Sequence, residues 1–207
     1  MKQPARIAIL ILFTLALFAC APVTPAATEE PVASPESVPG ENYYPLTTRT
    51  GIEHIDQILA AVASDDPQNL RALAEFFPAE CTNQDGLGGP PKCREGEAEG
   101  TPVEVIAFLS GEGGHIRKDE IENWTGVNVS GLYAVYEVNT AVISSEQYYP
   151  VGEYVILLLD ENDRDAVALR VGERGIVRMD TIFDASPENL NAMIEREAAT
   201  VILPPVQ

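Results

Sequence analysis

Three apolar runs in the second half of the chain, joined by short connections, are the feature that most constrains the fold. Residues 154–159 are followed by a polar turn at residues 160–165 and by a second run at residues 166–171, and a Gly-Glu-Arg-Gly turn then leads to residues 176–182. Parallel strands need a crossover of a dozen or more residues, so connections of four to six residues require antiparallel pairing. The sequence therefore predicts an antiparallel meander, to which residues 132–138, rich in Tyr and Val, add a further strand.

The residues before the meander are predicted to form helices. Apolar side chains recur at intervals of three and four over residues 52–62, which is the period of an amphipathic helix. Asp66 and Pro67 supply an N-cap and a first-turn proline for a second helix that runs to Phe77. A Thr-Pro-Val-Glu sequence predicts a third helix over residues 102–109, where β-branched side chains leave a strand as the alternative.

Helices followed by an antiparallel meander indicate an α+β fold, with the N-terminal helices packed on one face of a curved antiparallel sheet. A short helical turn over residues 119–124 and a last helix that begins after Ser186 complete the predicted elements. This order resembles the NTF2-like cone fold, in the helix–Asp-Asp-Pro–helix opening of residues 52–77 and in the closing strands of residues 132–182. The resemblance implies a concave pocket between the sheet and the helices.

The N-terminus has the pattern of an export signal. Two basic residues precede an uncharged apolar run over residues 7–18, which as a helix is about 18 Å long, well short of the roughly 30 Å of bilayer hydrocarbon. The sequence Leu17-Phe18-Ala19-Cys20 then resembles the lipobox of bacterial lipoproteins, which implies cleavage before Cys20 and diacylation of its sulfur. A plain secretory signal and an uncleaved anchor are the alternatives.

Three segments follow from these features. Residues 1–19 are the predicted lipoprotein signal peptide, residues 20–46 a lipid-anchored tether rich in Pro and Glu, and residues 47–207 a single α+β domain. We expect the domain on the extracytoplasmic side of the cell membrane, with acyl chains such as palmitate on Cys20 as the membrane contact. A net charge of −19, from 32 acidic and 13 basic residues, argues against binding to nucleic acid and against electrostatic docking on anionic lipid.

Cys81 and Cys93 remain once Cys20 is lipidated, and in an oxidising compartment such a pair predicts a disulfide. The bridge closes a Gly- and Pro-rich loop that has few apolar residues. Residues 86–96 are similar to stretches in uncharacterised bacterial lipoproteins, a similarity that implies no function. The alternative is a zinc site in which His115 joins the two cysteines, but no Cys-x-x-Cys spacing supports it. We expect neither a metal nor a cofactor.

His115 is the candidate catalytic residue, because it lies in a Gly-rich segment close to Asp119 and Glu120. A carboxylate can orient a histidine as a general base. A solvated histidine on a mobile loop is the alternative, and no serine-nucleophile motif accompanies His115. The acidic residues 160–165 suggest either a calcium loop or a hairpin turn, and their position between two strands, without EF-hand spacing, favours the turn.

Four aromatic residues are candidates for a ligand pocket: Trp124, Tyr133, Tyr136 and Tyr154. They line the concave pocket if the cone resemblance holds, and otherwise pack within the sheet. The sequence thus favours a membrane-anchored domain that binds a small ligand or a protein partner, neither of which it identifies. An enzyme of the hydrolase or isomerase type that uses His115, and a structural component of an envelope complex, are the alternative functions.

Overall fold

The computed structural model of this chain describes residues 42–206, except residues 87, 144–146 and 163. All of these belong to one compact unit, residues 34–207. The predicted signal peptide, the lipobox with Cys20 and most of the tether lie outside the described residues. No helix among the described residues is long and apolar enough to span a membrane.

The described residues form an α+β domain that is rich in strands. They include three α-helices, one 3₁₀ helix and eight strands. The helices are α1 (Glu53–Ala63), α2 (Pro67–Arg71), the 3₁₀ helix (Lys118–Asn123) and α3 (Pro187–Glu197). The strands are β1 (Phe77–Glu80), β2 (Pro102–Leu109), β3 (Gly114–Arg117), β4 (Val129–Val138), β5 (Tyr154–Asp160), β6 (Asp165–Val171), β7 (Ile176–Phe183) and β8 (Ala198–Leu203). Along the chain, α1 and α2 precede β1–β3, the 3₁₀ helix precedes β4–β7, and α3 precedes β8.

The strands form one mixed sheet. Its order is β1-β2-β7-β6-β5-β4-β8, and β3 also pairs with β2. The predicted meander is confirmed, because β4, β5, β6 and β7 pair with their neighbours in antiparallel fashion. The expectation of a purely antiparallel sheet was wrong, since β2 runs parallel to β7.

Strand β2 is where the sequence prediction and the structure differ most. Residues 102–109 were expected to form a helix with a strand as the alternative, and they form a strand. Val105 pairs with Phe77 of β1 and with Arg117 of β3, so these two strands lie on opposite edges of β2. Further along β2, Ala107 pairs with β3 and with β7. Three partner strands and a β-branched sequence together outweigh the local helix-start signal.

The second helix is shorter than predicted. Helix α2 ends at Arg71, and Phe77 begins β1 instead of closing the helix. The cause lies far along the chain, because the N–H of Ile176 donates to the Leu73 carbonyl at 2.8 Å and the N–H of Glu75 donates to the Ile176 carbonyl at 2.8 Å. These bonds hold Ala74, which forms a parallel bridge with Ile176, beside the start of β7. Strand β8 was not predicted at all.

Apolar side chains are buried on both faces of the sheet. Alternate residues of β5 belong to two clusters, Ile156 and Leu158 to the first, and Val155, Leu157 and Leu159 to the second. Helix α1 contributes to the first cluster and α3 to the second, through the side chains of Ile55, Ile58, Leu59, Val62, Leu190, Met193 and Ile194. The fold also begins earlier than the predicted boundary at residue 47, because Tyr44 is buried and pairs with Leu132 of β4.

Candidate functional site

Cys81 and Cys93 form the predicted disulfide. Cys81 follows β1 directly, so the bridge ties the disulfide loop (residues 81–93) to the edge of the sheet. The loop is also paired with itself, because the N–H of Thr82 donates to the Pro91 carbonyl at 2.8 Å and the N–H of Cys93 donates to the Thr82 carbonyl at 3.0 Å. With both sulfurs in the bridge, no thiolate is left to bind zinc.

A cleft of about 420 Å³ lies between the disulfide loop and the β3 region. Residues 88–94 line one side, including Lys92 and Arg94, and residues 113–120 line the other, including His115, Arg117 and Glu120. A second cleft of about 370 Å³ shares Lys92 with the first and lies against Tyr148. The disulfide loop therefore has a cleft on each side, and we call the first of them the His115 cleft.

A largely buried ion pair holds Arg117, which joins the two walls of the His115 cleft. Arg117, which is 8% exposed, donates from Nη1 and Nη2 to the two carboxylate oxygens of Glu97 at 2.7 and 2.6 Å. Its Nη2 also donates to the backbone carbonyl of Lys92 at 2.8 Å. The hydrogen bonds from Arg117, and then one from the Arg94 backbone, lower the pKa of Glu97 to about 2. Glu97 is therefore ionised at neutral pH and holds Arg117 in place, while the bond from Arg117 to the Lys92 carbonyl fastens β3 to the disulfide loop.

A second ion pair crosses the same cleft at the surface. Arg94 donates from Nη1 and Nη2 to the two oxygens of Asp119, at 2.7 and 2.9 Å, and also donates to Glu120. These three side chains remain 41%, 64% and 42% exposed, in that order. The hydrogen bond to Asp119, and then that to Glu120, raise the pKa of Arg94. The hydrogen bond from Arg94 lowers the pKa of Asp119 in turn.

His115 lies in strand β3 and not in the mobile loop that its Gly-rich neighbourhood suggested. Its Nε2 contacts the Tyr148 carbonyl at 2.9 Å, and because a carbonyl only accepts, Nε2 must carry the proton. Burial lowers the pKa of His115, so the ring is neutral at pH 7 and Nδ1 is an acceptor. Among the described residues Nδ1 has no hydrogen-bond partner.

The acid–base arrangement suggested by the sequence is not assembled in this geometry. His115 is bound to a backbone carbonyl, whereas Asp119 and Glu120 are both bound to Arg94. His115 and Glu120 do line the same cleft, as their spacing suggested. The arrangement offers a neutral acceptor and three cationic side chains that line one cleft, which suits binding more directly than proton transfer.

Three of the four aromatic candidates are core residues. Trp124 and Tyr133 are each 3% exposed and Tyr136 is fully buried. The hydroxyl of Tyr133 donates to Asn191 at 3.0 Å and that of Tyr136 donates to Glu197 at 3.2 Å. Tyr154 packs against the ring of His54, and none of the four lines either cleft described above. The packing interpretation fits these positions better than a pocket.

The acidic segment 160–165 connects β5 to β6 as a hairpin turn, as its place between two strands suggested. One oxygen of Asp160 accepts hydrogen bonds from the backbone N–H groups of Asn162, Arg164 and Asp165, at 3.2, 3.0 and 3.2 Å. Burial opposes ionisation of Asp160, but these backbone donors outweigh it and lower the pKa. This oxygen shapes the turn, which is a structural role and needs no calcium.

Sequence reasoning missed Arg94, Arg117, Glu97 and Tyr148. Their contacts join residues 20 to 33 positions apart, beyond the reach of any local pattern. One signal was present, since Lys92 and Arg94 flank a cysteine in a chain otherwise dominated by acidic residues.

Comparison of the chain with protein-family models, with curated proteins and with solved structures gave no match. The functional conclusion therefore depends on the geometry of the His115 cleft.

Proposed function

We propose that this domain binds a small polar ligand in the His115 cleft. The observation that carries the proposal is a cleft of about 420 Å³ in which the acceptor Nδ1 of His115 has no partner among the described residues. Ligand pockets commonly measure roughly 300–1,000 Å³ and place a few polar groups where they fix the orientation of the ligand.

The walls of the cleft are held in place before any ligand arrives. The disulfide fixes one wall to β1, and the hydrogen bond from Arg117 to the Lys92 carbonyl fixes it to β3. A preformed site loses less conformational entropy on binding than a flexible one. Fixed walls therefore support a binding role for a loop that has little apolar core of its own.

The two alternative functions have less support. Catalysis by His115 would need a carboxylate partner, and its neighbouring carboxylates are bound to Arg94. A structural role in an envelope complex would use an exposed apolar patch. The large exposed apolar side chains of the described residues, Val142, Phe183 and Val201, belong to three different segments.

We also propose that the chain is a lipoprotein with an NTF2-like cone domain, displayed outside the cytoplasm from a lipid on Cys20. The disulfide supports an oxidising compartment. The order of two helices, a β2–β3 hairpin and a four-stranded meander supports the cone. The intact mass of protein extracted from membranes should include a diacylglycerol adduct at Cys20, and an N-terminus cleaved without lipid would contradict the anchor.

The ligand proposal can be tested without knowing the ligand. We expect a set of polar fragments, screened by NMR on labelled protein, to shift backbone signals of residues 113–117 preferentially. Gly114→Leu should abolish these shifts, because Gly114 lines the cleft and its added Cβ would meet no heavy atom within 4 Å, so the new side chain enters open space. Thr200→Leu, at an exposed position of β8, is the matched control.

The outcome against the proposal is equally specific. Fragments that bind elsewhere, for example in the cleft beside Glu75 and Arg174, or that bind the Gly114→Leu variant unchanged, would show that the His115 cleft is not the binding site.

A further inference from the structure

We propose that the ligand of the His115 cleft carries an oxyanion, a carboxylate or a phosphate, and that Arg94 binds this group in exchange for Asp119 and Glu120. This inference rests on the proposed ligand-binding function and specifies the chemical class of the ligand. It is supported by the charge of the lining, the unused donors, the difference between the two ion pairs and the fixed backbone between the two exposed cations.

The lining of the cleft has a charge opposite to that of the chain. Lys92, Arg94 and Arg117 contribute three cations to the lining, where Glu120 is the one carboxylate. Glu97 and Asp119, which pair with the two arginines, do not line the cleft. The chain as a whole has 32 acidic and 13 basic residues. A concentration of cations in an acidic protein is best matched by a negatively charged group on the ligand.

Donors remain unused on both exposed cations. Arg94 uses Nη1 and Nη2 for its two carboxylates, and its Nε–H has no hydrogen-bond partner among the described residues. Lys92 has three N–H donors, and among the described residues one of them donates to the Gln84 carbonyl at 2.9 Å. An oxyanion accepts several hydrogen bonds at once, and a guanidinium offers it two parallel N–H groups.

The two ion pairs across the cleft differ in how easily they exchange. Arg117 and Glu97 are 9% and 26% exposed, so opening that pair would leave a charge in a largely dry position. Arg94 and Asp119 are far more exposed, and water screens such pairs strongly. Arg94 can therefore release its carboxylates to an incoming oxyanion while Arg117 keeps the walls together.

The backbone that carries the two exposed cations is held in place. Lys92 and Arg94 flank Cys93, whose side chain is in the disulfide and whose N–H donates to the Thr82 carbonyl. Both cations therefore start from a fixed stretch of backbone in the cleft lining without a ligand. His115 lines the same cleft, and its Nδ1 is available to accept a hydrogen bond from a hydroxyl or amide of the ligand.

The exchange predicts opposite effects for two neighbouring substitutions. Inorganic phosphate and citrate are the probes, titrated by calorimetry at low ionic strength on the folded domain. Arg94→Gln should weaken binding of these anions at least tenfold, because the guanidinium is lost. Asp119→Asn should strengthen binding several-fold, because the competing carboxylate is removed. Arg174→Gln removes an exposed arginine that pairs with Glu75 outside the cleft, and it should leave the binding of both phosphate and citrate unchanged.

These variants separate exchange from a purely structural role. If the pair of Arg94 and Asp119 only held the walls together, both variants would bind the anions more weakly. Weaker binding in Asp119→Asn would therefore overturn the proposal. Unchanged anion binding in Arg94→Gln would overturn it too. If Arg94→Gln fails to fold, Arg94→Lys replaces it as the test, because it keeps the charge without the paired N–H groups. We expect this variant to bind the anions more weakly than the wild type, without losing binding.

Failure of the inference differs from failure of the proposed function. Neutral fragments that shift residues 113–117 while phosphate and citrate do not bind would leave the ligand site in place and refute the oxyanion. No fragment binding at the cleft would refute the function on which the inference rests.

Discussion

At the scale of single residues, one close approach determines how the helical half joins the sheet. A Cβ built on Gly175 would lie 2.2 Å from the Leu73 carbonyl oxygen. That same oxygen accepts the N–H of Ile176, so the backbone of Leu73 cannot move away without losing a hydrogen bond. Only glycine leaves room for this contact, which holds the chain after α2 beside the start of β7.

The corresponding prediction is that Gly175→Ala destabilises the domain. Added volume in a packed position costs about 1–3 kcal/mol, and here the alternative is loss of the hydrogen bond between Ile176 and Leu73. Urea unfolding followed by circular dichroism measures the difference. Gly114→Ala is the control, because a Cβ there meets no heavy atom within 4 Å and should change stability little. Equal stability of the two variants would contradict this account of Gly175.

At the scale of elements, long-range partners decide what local signals leave open. Strand β2 is held by β1, β3 and β7, and β3 in turn is held by the Arg117 pair. Helix α3 ends at Glu197, directly before β8, and Glu197 belongs to a buried ion-pair network. In this network Arg170 donates to Asp180 at 2.6 Å and to Glu197 at 2.9 Å. Burial opposes ionisation of Glu197, but the charge of Arg170 prevails and lowers its pKa.

The attachment of β3 to the disulfide loop should make stability depend on pH. The pKa of Glu97 is about 2 in the fold against 4.5 ordinarily, so between these values the unfolded chain binds the proton more readily. The stability that Glu97 contributes is present above pH 4.5 and is lost as the pH falls towards 2. We expect the urea midpoint of Glu97→Gln, measured from pH 2 to 6, to fall less with decreasing pH than that of the wild type.

Glu95→Gln is the matched control for that series, because Glu95 is exposed in the same loop region and makes no ion pair among the described residues. It should keep the wild-type slope. If Glu97→Gln and wild type lose stability with identical slopes, the pair with Arg117 does not contribute to acid stability.

At the scale of the whole molecule, the sheet has an apolar cluster on each face, while the His115 cleft lies at the edge that β1, β2 and β3 form. The disulfide holds the loop of residues 81–93 at that edge, since the loop itself has few apolar residues. Binding can therefore depend on the bridge although most of the fold does not.

We predict that replacing both Cys81 and Cys93 by serine lowers the free energy of unfolding by about 3 kcal/mol, the loop-entropy value for a closure of this size. The variant should also lose fragment shifts at residues 113–117, because one wall of the cleft is no longer fixed. Urea unfolding with and without reductant provides the check. Reductant should reproduce the loss in the wild type and leave the double variant unchanged, and a reductant effect on the variant would contradict the assignment.

The sequence by itself determined the antiparallel meander, helix α1 and the disulfide pairing, since each follows from a local pattern or from a count. Alternation and helical period report which face of a segment is buried over about ten residues. Of the three cysteines, Cys81 and Cys93 are the two that remain to pair once Cys20 is assigned to the predicted lipid anchor. Only the tertiary structure decided that residues 102–109 form β2, that α2 stops at Arg71, and that Arg94 and Arg117 meet their carboxylates across the cleft. The physical reason is that a local pattern specifies burial but not partners, and partners in this domain come from segments tens of residues away.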